Sequence, residues 1–247
     1  MSLKDHLKRQ HGIEVEQKPL TAEEQKVRDD YNKEVYNVKI VVKQPIPTAD
    51  LIRVELVKKC RQLLAKEGRE FRLDEDSKRL INIVSLYFAR DERFFKYCTN
   101  GSFHKGIYLV GRCGVGKTLI MTAAKALRIP EGKFGFISCN QVVNEYNTKG
   151  RERGGIIEVQ KYMKRSWCFD DLGTEPMGNS YGKEDVFTTL LTQRAELYTS
   201  NQMRTFITSN FVPDDLQARY GERIVSRIHQ MCNIIAIGGN DRRKESN

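Results

Sequence analysis

Glycine, lysine and threonine crowd into Gly111-Arg112-Cys113-Gly114-Val115-Gly116-Lys117-Thr118, a complete G-x-x-x-x-G-K-T spacing. Glycines at those steps let the backbone curl until successive N–H groups converge on an anion, and a helix starting near Lys117 turns its positive end to the same point. Lys117 adds a full charge toward the outer phosphates of a nucleoside triphosphate, and the Thr118 hydroxyl can fill one position of an octahedral Mg²⁺. Gly111, Cys113, Gly114, Val115, Gly116, Lys117, Thr118 and Leu119 form the expected nucleotide-binding set.

Hydrolysis also needs a carboxylate for the metal and a group that directs water. Trp167-Cys168-Phe169-Asp170-Asp171 is an apolar strand pattern with carboxylates at its C-terminal end. Asp170 is expected beside the phosphate loop, across adjoining parallel strands, holding Mg²⁺ through a water, with Asp171 orienting or activating the attacking water. A further apolar run ends in Thr208-Ser209-Asn210, where the Asn210 amide can hold that water against Asp171 without adding charge.

These groups need a scaffold that brings strand ends together. Ile107–Val110, Phe134–Ile137, Trp167–Phe169, Thr205–Thr208 and Ile234–Ile237 have strand character, and helical patterns fall at roughly 117–127, 140–148, 156–164, 184–199 and 214–231. Strands alternating with helices predict an α/β fold whose five-stranded parallel sheet carries helices on both faces. Upstream, Ile52, Leu56, Cys60, Leu63 and Leu64 mark an amphipathic helix at 49–66, and Asp74-Glu75-Asp76 opens another whose buried stripe is Leu80, Ile83, Val84 and Tyr87. The expected organisation is a small, mainly helical N-terminal region over 1–72 and an ATPase domain over 73–247. Only 37 residues follow Asn210, so no separate C-terminal helical lid is expected.

In 214–231, Leu216, Tyr220, Ile224 and Ile228 form an apolar stripe beside a cationic one of Arg219, Arg223 and Arg227. The arginines suit a phosphate across a subunit boundary, a nucleic-acid backbone, or a solvated face. Gly221 inside this stretch allows the helix to begin afresh near Glu222.

Net charge +10 favours polyanionic partners. The six cysteines show no C-x-x-C pair, and the four histidines lack ligand spacing, so neither a zinc module nor a disulfide framework is expected. No apolar run reaches the ~18 residues needed to cross a bilayer, and Met1–Gly12 lacks a signal-peptide core. A cytoplasmic protein without membrane attachment is expected.

The segments GRCGVGKT, CFDDLGTEP, TFITSNF and RYGERIVSRI together resemble the AAA+ ATPases of the DnaC/DnaI helicase-loader and IstB transposition-helper group, over about residues 75–238. That resemblance implies ATP with Mg²⁺, Lys117 and Thr118 as the Walker A pair, Asp170 and Asp171 as Walker B, and Asn210 as sensor 1. It implies Arg227 as an arginine finger reaching a neighbouring subunit's ATP, head-to-tail self-association and contact with single-stranded DNA. Asp171 stands where many AAA+ proteins have glutamate, which implies slow turnover, and the resemblance implies that DNA stimulates it. Three functions are carried forward: a replicative-helicase loader, a transposition helper delivering a transposase, and a nucleotide-dependent binding module with negligible hydrolysis. The apolar stripe of helix 49–66 either docks on the helicase or packs on the protein's own ATPase domain. Lys149, Arg151, Arg153, Lys161, Lys164 and Arg165 are either DNA contacts or solvated surface, and tail residues Arg242, Arg243 and Lys244 either meet phosphate or stay solvated.

Overall fold

The computed structural model describes residues 21–23, 25–26, 46–129, 133–153, 159–179, 183–201 and 203–242. The chain divides into two compact units, Met1–Lys43 and Gln44–Asn247. In the first, helical residues 22–23 and 25–26 are described. The apolar run Val38–Val42, the histidines His6 and His11, Gly154–Gly155 and tail residues Arg243 and Lys244 lie outside the described residues.

The second unit opens with α1 (Ala49–Ala65) and α2 (Glu75–Phe88). Thr48 Oγ1 accepts the Leu51 N–H at 3.3 Å and the Asp74 carboxylate accepts the Ser77 N–H at 2.8 Å, each satisfying an end donor that the helix cannot. There follow β1 (Gly106–Gly111), α3 (Lys117–Ala126), β2 (Gly135–Ser138), α4 (Cys139–Arg153), β3 (Trp167–Leu172), β4 (Gly178–Asn179) and β5 (Lys183–Glu184). The chain continues through α5 (Val186–Asn201), β6 (Thr205–Ser209), α6 (Gln217–Tyr220), α7 (Glu222–Met231) and β7 (Cys232–Ile237).

The five predicted strands form one parallel sheet in the order β2-β3-β6-β1-β7, and β4 pairs with β5 as a separate antiparallel ribbon. Alternating residues feed two cores, as a sheet covered on both faces requires. Ile107, Leu109, Cys168, Phe206 and Ile235 face α1, α2 and α3, while Tyr108, Val110, Phe169 and Ile207 face α4, α5 and α7.

Ala49, Ile52, Leu56 and Cys60 of α1 sit in the same core as Leu80, Ile107 and Met121. The stripe therefore packs on the chain's own sheet, and the sheet unit begins near Gln44, not at residue 73. Burying those four side chains stabilises this arrangement by several kcal/mol, on the order of 1.5–3 kcal/mol for each larger one.

Three helix expectations change. The segment 214–231 breaks into a 3-10 turn at Pro213–Leu216, then α6 and α7, with Gly221 at φ 82°, ψ 159° between them. Of the helix expected at 156–164, the described residues are α-helical at 159–160 and tighten into a 3-10 turn at Lys161–Met163. The one expected at 184–199 starts at Val186, because the Asp185 carboxylate accepts the Phe187 N–H at 3.0 Å and Lys183–Glu184 pairs in the ribbon.

Arg194 of α5 is fully buried. Its guanidinium donates to Thr205 Oγ1 at 2.8 Å, Arg204 O at 2.7 Å, Arg165 O at 3.0 Å and Tyr162 O, and lies 5.7 Å from the Phe169 ring centre. Burial lowers its pKa to about 10, so it remains charged at neutral pH. One side chain thus ties the chain entering β3 to the chain entering β6. Arg194→Leu leaves those backbone carbonyls without their donor, and urea unfolding is expected to show a loss of about 3–5 kcal/mol; a loss below about 1 kcal/mol would contradict this role.

Candidate functional site

β1 delivers the chain to Gly111, and α3 starts at Lys117. Gly114 and Gly116 take φ 81° and 97°, which glycine adopts without steric cost. A Cβ at Gly114 would lie 1.8 Å from Asp241 Oδ1, so this step also admits no side chain without movement of the tail. Lys117, 5% exposed, donates from Nζ to Gly111 O at 2.7 Å, Arg112 O at 3.0 Å and Asn210 Oδ1 at 2.9 Å.

The strand order corrects one expectation about the carboxylates. β1 and β3 are not neighbours, because β6 lies between them and places Thr208 in the gap. Thr208 Oγ1 donates to Asp170 Oδ1 at 2.6 Å and accepts the Asp171 N–H at 3.0 Å. Thr118 Oγ1 donates to the same carboxylate, at 2.9 Å from Oδ1 and 3.1 Å from Oδ2. Asp170 is 6% exposed, and burial raises its pKa above the ordinary carboxylate value. The charge of Asp171 pushes the same way, while the two hydroxyls and Lys117 pull it down. A hydroxyl and a carboxylate, with no thiol or imidazole, is a hard-oxygen pair that fits Mg²⁺.

Asp171 has φ 59°, in the left-handed region, and the β3–β6 register slips between Phe169 and Leu172. The irregularity separates the two acids: Asp170 stays under the loop and Asp171 lines the cleft with Lys117, Thr118 and Asn210. No hydrogen bond or ion pair engages the Asp171 side chain among the described residues.

The cleft holds about 990 Å³, open solvent included, and two further walls complete it. One is the strap Arg69–Arg72 that follows α1, together with Leu64. The other is Arg242, which clamps the Asp74 carboxylate at 2.7 and 2.8 Å and donates to Val115 O. That clamp, with the α2 N-cap bond, holds the Asp74 pKa down at about 2. Arg242 and Asp74 are 168 positions apart, and no local pattern announces such a pair.

The expected three-arginine stripe is not free along its length. Arg219 is spent internally on Glu175 at 2.9 Å, Asp185 at 3.2 Å and the Gly173 and Glu175 carbonyls. Arg223 and Arg227 form no hydrogen bond or ion pair among the described residues, and neither lines the cleft. Lys161 pairs with Glu145, and Arg165 lies 4.6 Å from the Trp167 ring centre, so neither is a bare surface cation. Among the described residues, Lys117, Thr118, Asp170, Asp171 and Asn210 come together; Arg227 does not join them.

No protein-family model matches the chain. It is 30% identical over 155 residues to the replicative helicase loader DnaI of Bacillus subtilis (strain 168), a match covering 56% of this chain and 48% of that protein. The chain therefore spans about half the length of this curated relative. The crystal structure of the DnaC helicase loader overlaps at a TM-score of 0.48 with 22% identity, over 68% of this chain and 93% of that one. The crystal structure of DnaI overlaps at 0.46 with 25% identity, over 71% and 89%. The similarity to DnaI agrees with the DnaC/DnaI-like character of the motif segments.

A carboxyl group whose folded pKa is raised weakens the fold once pH exceeds its unfolded value, and the penalty is complete above the folded value. Asn at position 170 can accept both hydroxyls through Oδ1, which they already share, while removing the buried charge. Asp170→Asn is therefore expected to raise the thermal midpoint at pH 7, to lose that gain as pH falls through the raised folded value toward the ordinary carboxylate value, and to abolish Mg²⁺-dependent tightening of nucleotide. Scanning calorimetry across pH checks the first two and a nucleotide titration with and without Mg²⁺ the third; an unchanged Mg²⁺ response would remove Asp170 from the site.

Proposed function

We propose that this chain is an ATP-dependent loader of a replicative helicase, binding ATP with Mg²⁺, hydrolysing it slowly and contacting single-stranded DNA. The observation that carries the reading is the hydrogen-bonded run from Asn210 to Lys117 on one side and from Thr118 through Asp170 and Thr208 to Asp171 on the other. Three separate chain segments thereby put a cation, a metal-ligand pair, an accessible carboxylate and an amide around one cleft. The similarity to DnaI supports the choice of partner.

In this reading the curled N–H groups of 113–117 and the start of α3 bind the phosphates. Lys117 shifts from the Gly111 and Arg112 carbonyls to the outer phosphate, and Asn210, already its partner, then meets the same phosphate. Thr118 and Asp170 would hold Mg²⁺, which when bound would supply positive charge against the phosphate oxygens. The Asp171 side chain is half-exposed and forms no hydrogen bond or ion pair among the described residues, so it can orient the attacking water and accept its proton. Arg227, with Arg223 nearby, completes the site of the next copy in a head-to-tail assembly, where a guanidinium spreads the transition-state charge. The excess of basic residues favours single-stranded DNA as the polyanion.

Lys117→Ala removes a charge-assisted contact worth about 1.5–3 kcal/mol. ATP affinity is expected to fall about 10- to 100-fold with hydrolysis lost, measured by calorimetric titration and phosphate release. Affinity capture of the intact chain from its own cells tests the partner: a hexameric helicase retained with ATP and released on hydrolysis is expected, and recovery of a transposase instead would overturn the loader reading. DNA-stimulated single-turnover hydrolysis distinguishes the loader from a pure binding module.

A further inference from the structure

The turn that follows the two acids is bolted to the helix pair that carries the free arginines. Glu175 is 2% exposed, and each of its carboxylate oxygens is engaged. Oε2 accepts the Gly173 N–H at 2.8 Å, while Oε1 accepts the Tyr220 hydroxyl and faces Arg219 Nη2 at 2.9 Å. Arg219 also donates from Nη1 to Gly173 O at 3.1 Å, from Nη2 to Glu175 O at 2.7 Å and from Nε to Asp185 Oδ2 at 3.2 Å. α6 therefore moves with residues 173–175, and those residues begin two positions after Asp171.

Gly221 joins α6 to α7 at φ 82°, ψ 159°: its N–H donates to Gln217 O at 2.9 Å and its carbonyl accepts the Ile224 and Val225 N–H groups at 3.2 and 3.3 Å, so the two helices are tied through this residue, while a Cβ there would meet nothing within 4 Å. α7 buries Ile224, Val225, Ile228 and Met231 and leaves Arg223 and Arg227 without polar partners among the described residues. Upstream, the turn starts from a left-handed Asp171 whose N–H hangs on Thr208, the same hydroxyl that holds Asp170. A buried ionic cluster is an expensive way to hold two segments together, since apolar residues of equal volume often do so as well or better. Its directional bonds instead make the two segments rotate as one body.

We infer that Glu175, Arg219 and Tyr220 are positioning residues that transmit the conformation of the Asp170–Asp171 turn to α7 and so set where Arg227 is presented to the neighbouring copy. The inference rests on the proposed action of Arg227 in trans. A shift of the Asp170 carboxylate toward a bound Mg²⁺ would load the Thr208–Asp171 bond, the Gly173–Glu175 segment would follow, and α6 would carry that shift to the Gly221 joint. ATP state in one copy's cleft thereby controls the arginine it offers to the next.

The test mixes two full-length chains that are each inactive alone. An Asp171→Asn chain keeps the nucleotide contacts of its own cleft and Arg227 but lacks the carboxylate that orients the attacking water, and an Arg227→Ala chain retains a site but offers no arginine; the mixture is expected to regain ATPase activity at their shared interfaces. Arg219→Gln or Tyr220→Phe is then added to one chain at a time. In the arginine-donating chain either change is expected to cut the restored rate, by roughly tenfold for Arg219→Gln and less for Tyr220→Phe, which keeps the ring packing. In the site-donating chain the same changes leave the rate within about twofold. Equal losses in both placements indicate a merely structural cluster and overturn the inference, as does no loss in either. Failure of the parent mixture to regain activity removes the trans arginine itself, a result distinguishable from the other two.

Discussion

The cleft depends on one buried carboxylate shared by two hydroxyls from different parts of the chain. Thr118 approaches Asp170 from the glycine-rich loop and Thr208 approaches it from β6, so a single acid fixes loop and strand end together. Burial disfavours its charge, and the two hydroxyls offset that only in part, which leaves Asp170 with a raised pKa. A group held in that condition gains more from a nearby divalent cation than a solvated carboxylate does, because the cation removes a penalty the fold already carries. The same logic applies to Lys117, whose buried ammonium borrows loop carbonyls and Asn210. A phosphate that takes over Lys117 must re-pair Asn210, so binding and sensing are one exchange of partners.

The phosphate loop and the carboxylate pair were legible because their chemistry is written in short contiguous spacings: G-x-x-x-x-G-K-T before a helix, two acids closing an apolar strand, an asparagine closing another. The parallel sheet followed from alternation of strand and helix patterns, and its five strands lie where the apolar runs put them. Strand order was less accessible. Nothing in the runs themselves says that β6 separates β1 from β3, and for that reason Thr208 passed as an ordinary strand residue when it is the bridge between the acids. Arg219 was misjudged for a related cause. Its spacing with Arg223 and Arg227 is correct on an ideal helix, but Gly221 interrupts the helix, and Glu175 and Asp185 claim that guanidinium alone.

The α1 stripe shows how helical periodicity underdetermines a partner. Ile52, Leu56 and Cys60 could equally have faced another protein, and only the shared core with Leu80 and Ile107 assigns them to the sheet. Once α1 is inside the unit, the strap after it becomes a wall of the cleft, through Glu70, Phe71 and Arg72. Residues far upstream of the phosphate loop in sequence therefore belong to the nucleotide's surroundings.

Asp74 and Arg242 carry that point further. Asp74 caps α2 immediately after the strap, and Arg242 grips it while bonding the phosphate loop at Val115, with Asp241 pressed against Gly114. The clasp joins the segment before α2, the loop after β1 and the segment after β7 around the mouth of one cleft. Any molecule that spreads the loop must strain a bidentate ion pair whose carboxylate is held far on the ionised side, and any change in the clasp must reach Gly114 and Gly116 through their close contact with the tail. The conformation of the glycine-rich loop is thus set partly by residues outside every recognisable motif.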